Sequence, residues 1–151
     1  MNTFMNKVIR LKSVLLIALL SFIINSAFLE DHELNIVIAN IGEIKGNIHI
    51  GIYNKKEDFP EKGKEFRIGV FKVVSDSMKI TFKVPKGKYA VALFHDINDD
   101  QKCNLNAFGI PMERFGFSNN VKVKLTVPPF DDVAVKICND TTIYIRLIQI
   151  L

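Results

Sequence analysis

The sequence predicts an all-β domain, an antiparallel β-sandwich of about seven strands with one long loop rich in Asp and Asn. Apolar and polar residues alternate with a period of two along most of the chain, and clusters of Gly, Pro, Asn and Asp separate the alternating runs. No segment repeats its apolar residues at a sustained helical spacing. Successive side chains of a strand point to opposite faces, so this alternation is typical of half-buried strands in an antiparallel sheet.

The individual strands follow from these runs. KYAVALF (88–94) is apolar on both faces, which predicts a central strand. VKVKLTV (121–127) is predicted as a short edge strand, because its lysines discourage edge-to-edge pairing. The remaining alternating runs are NIHIGIY (47–53), MKITFKV (78–84), VAVKI (133–137) and TIYIRLI (142–148).

Residues 1–27 have the pattern of a secretory signal peptide. Three basic residues lie among the first twelve, the apolar run VLLIALLSFII (14–24) follows, and Ser26 and Ala27 offer a cleavage site. An uncleaved anchor is the competing interpretation, although the run is short for a membrane span. We therefore expect an exported protein, periplasmic or secreted, with a single domain over residues 28–151 that meets the membrane only through the leader before cleavage.

The charge of the chain argues against nucleic-acid binding. Removing the three basic residues of the leader from the total of 20 leaves 17 Lys and Arg against 16 Asp and Glu. The domain is then close to neutral and has no long basic stripe of the kind that contacts phosphates.

The loop after the central strand is the candidate metal site. Asp96, Asn98 and Asp100 alternate, Asn104 follows, and Glu113 is the nearest later carboxylate. Calcium takes six to eight hard oxygen ligands, which alternating Asp and Asn side chains can supply. The sequence therefore predicts a calcium site built from these five residues.

The match to an EF-hand loop is incomplete. Gln101 stands where that loop needs Gly, and Ala107 stands where it needs a bidentate Glu. Asp and Asn also build Asx-turns, in which the side chain bonds nearby backbone without any ion. Calcium binding and plain turn chemistry both stay open at this point.

The two cysteines, Cys103 and Cys138, would meet an oxidising compartment after export. They allow a single internal disulfide, which would tie the acidic loop to the strand near 133–137. Two separate thiols are the alternative.

The stretch FGIPMERFGFS (108–118) is predicted as a structured loop. Gly109 and Gly116 permit backbone angles that other residues avoid, and Pro111 fixes one. The aromatic residues of this stretch are predicted to anchor the loop in the end of the sandwich, with an exposed ligand surface as the alternative. They are Phe108, Phe115 and Phe117.

Catalytic patterns are weak. The sequence has neither a Gly-x-Ser-x-Gly elbow nor a glycine-rich phosphate loop. His95 could cap the strand, bind a soft metal or act as a base. The enzyme alternative is a small-molecule hydrolase or another metal-assisted enzyme that uses His95, Asp96 and Glu113.

The stretch GKYAVALFHDINDDQKCNLNAFGIPMERFGFSNN, with the later PPFDDVAVKI, resembles the exported bacterial family known only as domain of unknown function 2141. The chain departs from the family pattern at Gln101, where Gly is usual, and at Asn104, where Asp is usual. The resemblance implies a prealbumin-like or immunoglobulin-like Greek-key sandwich, and it implies no activity. The residues that match are Gly87, Tyr89, Ala90, His95, Asp96, Asn98, Gly109, Pro111, Glu113, Gly116, Phe117, Ser118 and Asn119.

Three functional hypotheses follow. The first is a non-catalytic binding or structural module of the cell envelope, whose calcium-ordered loop presents a surface to an envelope protein or a glycan. The second is the enzyme described above. The third is a surface module with an internal Lys–Asn cross-link.

Overall fold

The computed structural model of the protein describes residues 30–107, 109–123 and 126–150. These residues form eight strands, the helical turn α1 and two short 3-10 turns. The strands are β1 (Asp31–Ala39), β2 (Asn47–Tyr53), β3 (Arg67–Lys72), β4 (Met78–Pro85), β5 (Gly87–Asp96), β6 (Phe115–Phe117), β7 (Val135–Ile137) and β8 (Thr141–Arg146). The turns are α1 (Phe130–Val133) and the 3-10 turns Lys56–Asp58 and Ser118–Asn120.

The strands form two sheets. The smaller sheet has the order β4-β1-β8, with β1 antiparallel to β4 and parallel to β8. The larger has the order β3-β2-β5-β6, and its pairs are antiparallel. The short strand β7 pairs with the first residues of β5, where Gly87 lies opposite Ile137. The all-β sandwich prediction is confirmed, and KYAVALF is a central strand as predicted.

The main hydrophobic core is built from the alternation that the sequence shows. Ile48, Ile50 and Ile52 of β2 are fully buried, as is Val91 of β5, and they belong to one cluster with residues of the smaller sheet. Because side chains alternate along a strand, His49, Gly51 and the even-numbered residues of β5 lie on the opposite, outer face of the larger sheet.

A second cluster covers one part of this outer face. Tyr53 and Ala90 pack there against Phe130 and Val133 of α1. The rest of the outer face is the floor of the groove described below.

Some strand predictions are wrong. The described residues of VKVKLTV, 121–123 and 126–127, form no strand. VAVKI is strand only over Val135–Ile137, because Val133 belongs to α1. β1 and β3 were not predicted from the sequence.

The predicted leader, residues 1–27, lies outside the described residues. Within the described part of the chain, no helix has both the length and the apolar character needed to cross a membrane.

Candidate functional site: an apolar groove beside the acidic loop

Asp96 ends β5 and holds the acidic loop. Its side chain is fully buried. Its Oδ1 accepts the backbone N–H of Asp100 at 3.2 Å, and its Oδ2 accepts that of Gln101 at 2.8 Å. Gln101 has φ 63°, in the left-handed region that favours glycine. The position where the family pattern has Gly therefore keeps the backbone conformation that Gly adopts most easily.

Glu113 holds the same loop from the other side. Its Oε1 accepts the N–H of Ile97 at 3.2 Å, and its Oε2 accepts that of Asn104 at 3.3 Å. Burial raises the pKa of Glu113. The negative charges of Asp96 and Asp100 add to the rise, while the two N–H donors oppose it.

Three further predicted ligands meet at the exposed side of the loop. The Asn98 Nδ2 lies 3.1 Å from the Asp100 Oδ2, and the Asn104 Nδ2 lies 2.9 Å from the same oxygen. The hydrogen bond from the Asn104 side chain is the main cause of a lowered pKa at Asp100. The Asp100 Oδ1 also accepts the N–H of Lys102 at 2.9 Å.

The structure thus brings all five predicted calcium ligands into one loop, where they bond to its backbone and to each other. This is the Asx-turn chemistry that the sequence left open. Among the described residues, no three His, Cys, Asp or Glu side chains are grouped closely enough to hold a metal. A cation here would have to displace amide donors from Asp100 and take amide oxygens as ligands, so calcium binding stays a prediction.

His95 lies on the opposite face of the sheet from Asp96, because the two are neighbours in β5. It is fully buried. Its Nδ1 is 3.1 Å from the carbonyl oxygen of Ile41, and its Nε2 is 2.7 Å from that of Lys45. These contacts attach the turn before β2 to β5. The structure therefore does not bring His95 together with Asp96 and Glu113 as one reacting group.

His49 is a site residue that was not predicted from the sequence. It lies on the outer face of β2, and its ring stacks on Phe94 with centroids 4.7 Å apart. Its Nε2 is 3.2 Å from the Oδ2 of Asp96, but it is not aligned for a hydrogen bond with any described residue. The available signal was a polar residue at an outward position in a run of isoleucines.

The groove lies on the uncovered part of the outer face and has a volume of about 700 Å³. Gly51 and Ala92 are paired residues on its floor, and Phe117 is paired with Ala92 on the next strand. Leu105 and Pro111 of the acidic loop and its continuation line one side. Most of the lining is apolar, as in sites for small molecules.

Exposed apolar side chains surround the groove mouth. Ile68 is 60% exposed, Leu105 is 54% exposed and Val127 is 52% exposed, and all three line the groove. Contiguous exposed apolar surface is uncommon on a monomer and is typical of a binding site.

The family-motif residues after the loop brace the groove wall. Ser118 is fully buried, and its Oγ donates to the carbonyl oxygen of Val133 at 2.6 Å and accepts the N–H of Val91 at 3.0 Å. The Asn119 Nδ2 donates to the carbonyl oxygen of Asp132 at 3.0 Å. An added Cβ on Gly116 would lie 2.7 Å from Ile145, so the chain needs Gly there.

The other residues of the predicted structured loop 108–118 make fewer specific contacts. Gly109 has φ 75°, which favours Gly. Pro111 forms an isolated β-bridge with Leu105. Phe115 is buried and Phe117 is half-buried, and both line the groove on the outer face of the larger sheet. Phe108 lies outside the described residues.

The predicted disulfide is wrong, because Cys103 and Cys138 both have free thiols. Cys103 lies in the loop that follows Asp96, the last residue of β5, while Cys138 follows Ile137, which pairs with Gly87, the first residue of β5. β5 has 10 residues, which span about 30 Å at 3.3 Å per residue, so the two cysteines follow elements at opposite ends of this strand. A disulfide needs Cα atoms about 4.4–6.8 Å apart.

Comparison with known proteins identifies the family of the chain but assigns it no activity. No curated protein and no solved structure matches the chain. The model of one family, described as an uncharacterized protein conserved in bacteria (DUF2141), matches residues 36–144. This match covers more than half of the chain and contains both the acidic loop and β2 to β7. The chain therefore belongs to the DUF2141 family of uncharacterized bacterial proteins.

Proposed function

We propose that the protein is an exported, non-catalytic binding module of the cell envelope and that the groove on its larger sheet binds a small apolar ligand. The leader-like sequence pattern of residues 1–27, ahead of a predicted single domain over 28–151, supports the export part of the proposal. The observation that carries the binding part is the groove, whose apolar floor continues into exposed apolar side chains at its mouth.

The groove favours an apolar ligand over a glycan. Its floor is made of aromatic rings and small side chains, including the stacked pair His49 and Phe94. Removing apolar surface from water contributes about 25 cal/mol per Å² to the free energy of binding. A glycan would find few polar partners on this floor.

The enzyme alternative is less well supported. A general base must reach the substrate together with the groups that assist it. His95 faces the interior and contacts two backbone carbonyl oxygens, so it does not share a site with Asp96 and Glu113.

The proposal also gives calcium a role in ordering the acidic loop. Gln101, Lys102 and Leu105 of this loop line the groove. A cation held by Asp96, Asn98, Asp100, Asn104 and Glu113 would therefore set the shape of one groove wall.

The binding proposal is tested with N-phenyl-1-naphthylamine, a neutral apolar dye that fluoresces when it leaves water. We expect saturable binding of one dye per protein at micromolar concentrations. Ala92→Phe should weaken binding at least tenfold, because its ring fills the groove floor. Thr142→Phe is the matched control, since it adds the same ring at an exposed position on the smaller sheet.

Thermal unfolding of both variants shows whether they fold. Absence of dye binding to the wild-type protein contradicts the proposal. Equal dye binding by folded Ala92→Phe and wild type also contradicts it.

A further inference from the structure

The floor of the groove has a shape that selects among apolar ligands. Four residues follow one another across the larger sheet, one per strand, because Gly51 pairs with Ile68 and Ala92, and Ala92 pairs with Phe117. The two central residues, Gly51 and Ala92, have the smallest side chains. This row is therefore a trough that runs across the strands, with larger side chains at its two ends.

The trough has a wall of rings on one side. The next row across the sheet contains His49, its partner Phe94, and Phe115, the partner of Phe94. Residues on one face of a strand are about 7 Å apart along it, which sets the distance between rows. The trough is therefore wide enough for one extended hydrocarbon chain and too narrow for two.

Its length follows from the strand spacing. From Ile68 on β3 to Phe117 on β6 the row crosses three strand intervals, or about 14 Å, and the larger side chains of these two residues bound the open space between them. One unbranched hydrocarbon chain, with part of its length in the trough and the rest in the groove above it, fits this shape better than a broad ring system does. The Tyr53 ring bounds the trough beside Gly51, because an added Cβ on Gly51 would lie 2.9 Å from this ring.

The accessible charge at the mouth is positive. Among the described lining residues, the charged side chains apart from His49 are Lys62, Glu65 and Lys102. Two lysines against one carboxylate leave the mouth with a net positive charge. The Glu65 carboxylate is hydrogen-bonded within the protein, since its Oε2 accepts the N–H of Gly63 at 2.8 Å and its Oε1 lies 3.4 Å from the Tyr53 hydroxyl.

Both lysines keep donors for a ligand. The Lys62 Nζ donates to the carbonyl oxygen of Gln101 at 2.6 Å, across the rim, and an ammonium group has three N–H donors. The backbone N–H of Lys102 donates to the Asp100 carboxylate, and this bond fixes the position of the Lys102 backbone. The Lys102 side chain itself is exposed. The mouth therefore offers ammonium groups to an anionic group.

We propose that the ligand is a fatty-acid-like amphiphile, with an unbranched acyl chain in the trough and a carboxylate at Lys62 and Lys102. This inference rests on the proposed function, because it names the ligand class of the same groove. The trough selects a single chain, and the charge at the mouth selects an anionic head group.

The test compares two competitors that differ in the head group alone. Dodecanoate and dodecanol share the same number of carbons, and each displaces bound N-phenyl-1-naphthylamine at neutral pH and low salt. We expect dodecanoate to displace the dye at a concentration at least fivefold lower than dodecanol does. The difference should shrink in 0.5 M salt, since ions screen exposed charges.

A charge variant tests the assignment to the rim. Lys102→Gln should reduce the dodecanoate preference at least threefold and leave dodecanol displacement unchanged. Lys79→Gln is the matched control, because Lys79 is an exposed lysine on the smaller sheet, and it should retain the wild-type preference.

The outcomes separate the two proposals. If the dye binds in the groove and both competitors displace it equally, the fatty-acid proposal is overturned and the apolar binding proposal stands. If the dye does not bind, the proposed function fails. If wild type sediments as a dimer and Ala92→Phe as a monomer, a second copy covers the groove and the fatty-acid proposal is overturned.

Discussion

At the scale of single residues, Asp96 is the group on which the loop most depends. A buried carboxylate is costly unless it is hydrogen-bonded. Asp96 meets this condition by accepting two backbone N–H groups of the loop that follows it. The same carboxylate contacts His49 on the groove floor, so one side chain links the loop to the sheet.

Asp96→Ala should lower the free energy of unfolding by about 3 kcal/mol, because it leaves two loop N–H groups without their charged acceptor. Urea unfolding measures this change. Asp140→Ala is the matched control, since Asp140 accepts one N–H, that of Glu33, in an exposed position. We expect the control to cost about 1 kcal/mol or less. Equal losses in the two variants would show that burial of Asp96 contributes nothing.

Glu113 should make stability depend on pH. Burial raises its pKa in the folded state above the ordinary value of 4.5. The folded protein then holds this proton more tightly than the unfolded chain, so the Glu113 contribution falls as pH rises from 4.5 through the folded pKa. Glu113→Gln cannot titrate. The difference in unfolding free energy between wild type and variant should change over that interval, and a constant difference would contradict the assignment.

Calcium binding is tested at Asp100, the carboxylate on the exposed side of the loop. If calcium binds the folded protein alone, millimolar calcium raises the melting temperature of the wild type relative to chelator. Asp100→Ala should remove that rise, while Glu57→Ala, which deletes an exposed carboxylate in a 3-10 turn, should keep it. Identical wild-type melting curves in calcium and in chelator would contradict the calcium proposal.

At the scale of elements, the turn before β2 packs closely on the end of β5. Gly46 has φ 66°, and an added Cβ would lie 2.8 Å from the Cα of Ile97 and nearer still to the carbonyl oxygen of Asp96. The turn is also attached to β5 by His95. These contacts place the start of β2, and with it His49, beside the acidic loop.

Gly46→Ala should destabilise the protein by more than 3 kcal/mol, because the backbone of Asp96 cannot move away without breaking the β5 pairing. Gly63→Ala is the control. Gly63 also has a positive φ, of 89°, but an added Cβ there meets nothing within 4 Å. The control should cost only the left-handed backbone strain, about 1 kcal/mol. Chemical unfolding of the two variants measures the difference, and similar losses would contradict the proposed clash.

The sequence predicted elements well where both faces of a strand had a defined environment. β2, β4 and β8 alternate because one face meets the core and the other does not, whereas β5 is apolar on both faces because its outer face is covered in part as well. VKVKLTV alternates equally well, yet its described residues pair with no strand. Alternation shows that a segment is able to form a strand. Whether it pairs depends on whether a neighbouring strand has an unpaired edge beside it.

At the scale of the whole molecule, the two cysteines lie beyond opposite ends of β5. Burial and the nearby Glu113 raise the pKa of Cys103 to about 11, so its thiol stays protonated at neutral pH. Cys138 is exposed.

Iodoacetamide at pH 8 should therefore modify Cys138 at least tenfold faster than Cys103 in the folded protein, because only Cys138 is exposed. Peptide mass spectrometry measures both rates, and denatured protein is the control in which the difference should largely disappear. If neither cysteine reacts until a reductant is added, the thiols are joined and the distance argument is wrong.

The sequence by itself determined the fold class, most of the strands, the acidic loop and the family motif. These properties can be predicted from short segments, because strand alternation and turn chemistry depend on near neighbours in the chain. The tertiary structure decided which outer face stays uncovered, that Gly51 and Ala92 form one floor, that His49 lies beside Asp96, and that the two cysteines follow elements at opposite ends of β5. Those facts depend on strand order and register, which join residues distant in sequence and which alternation alone does not specify.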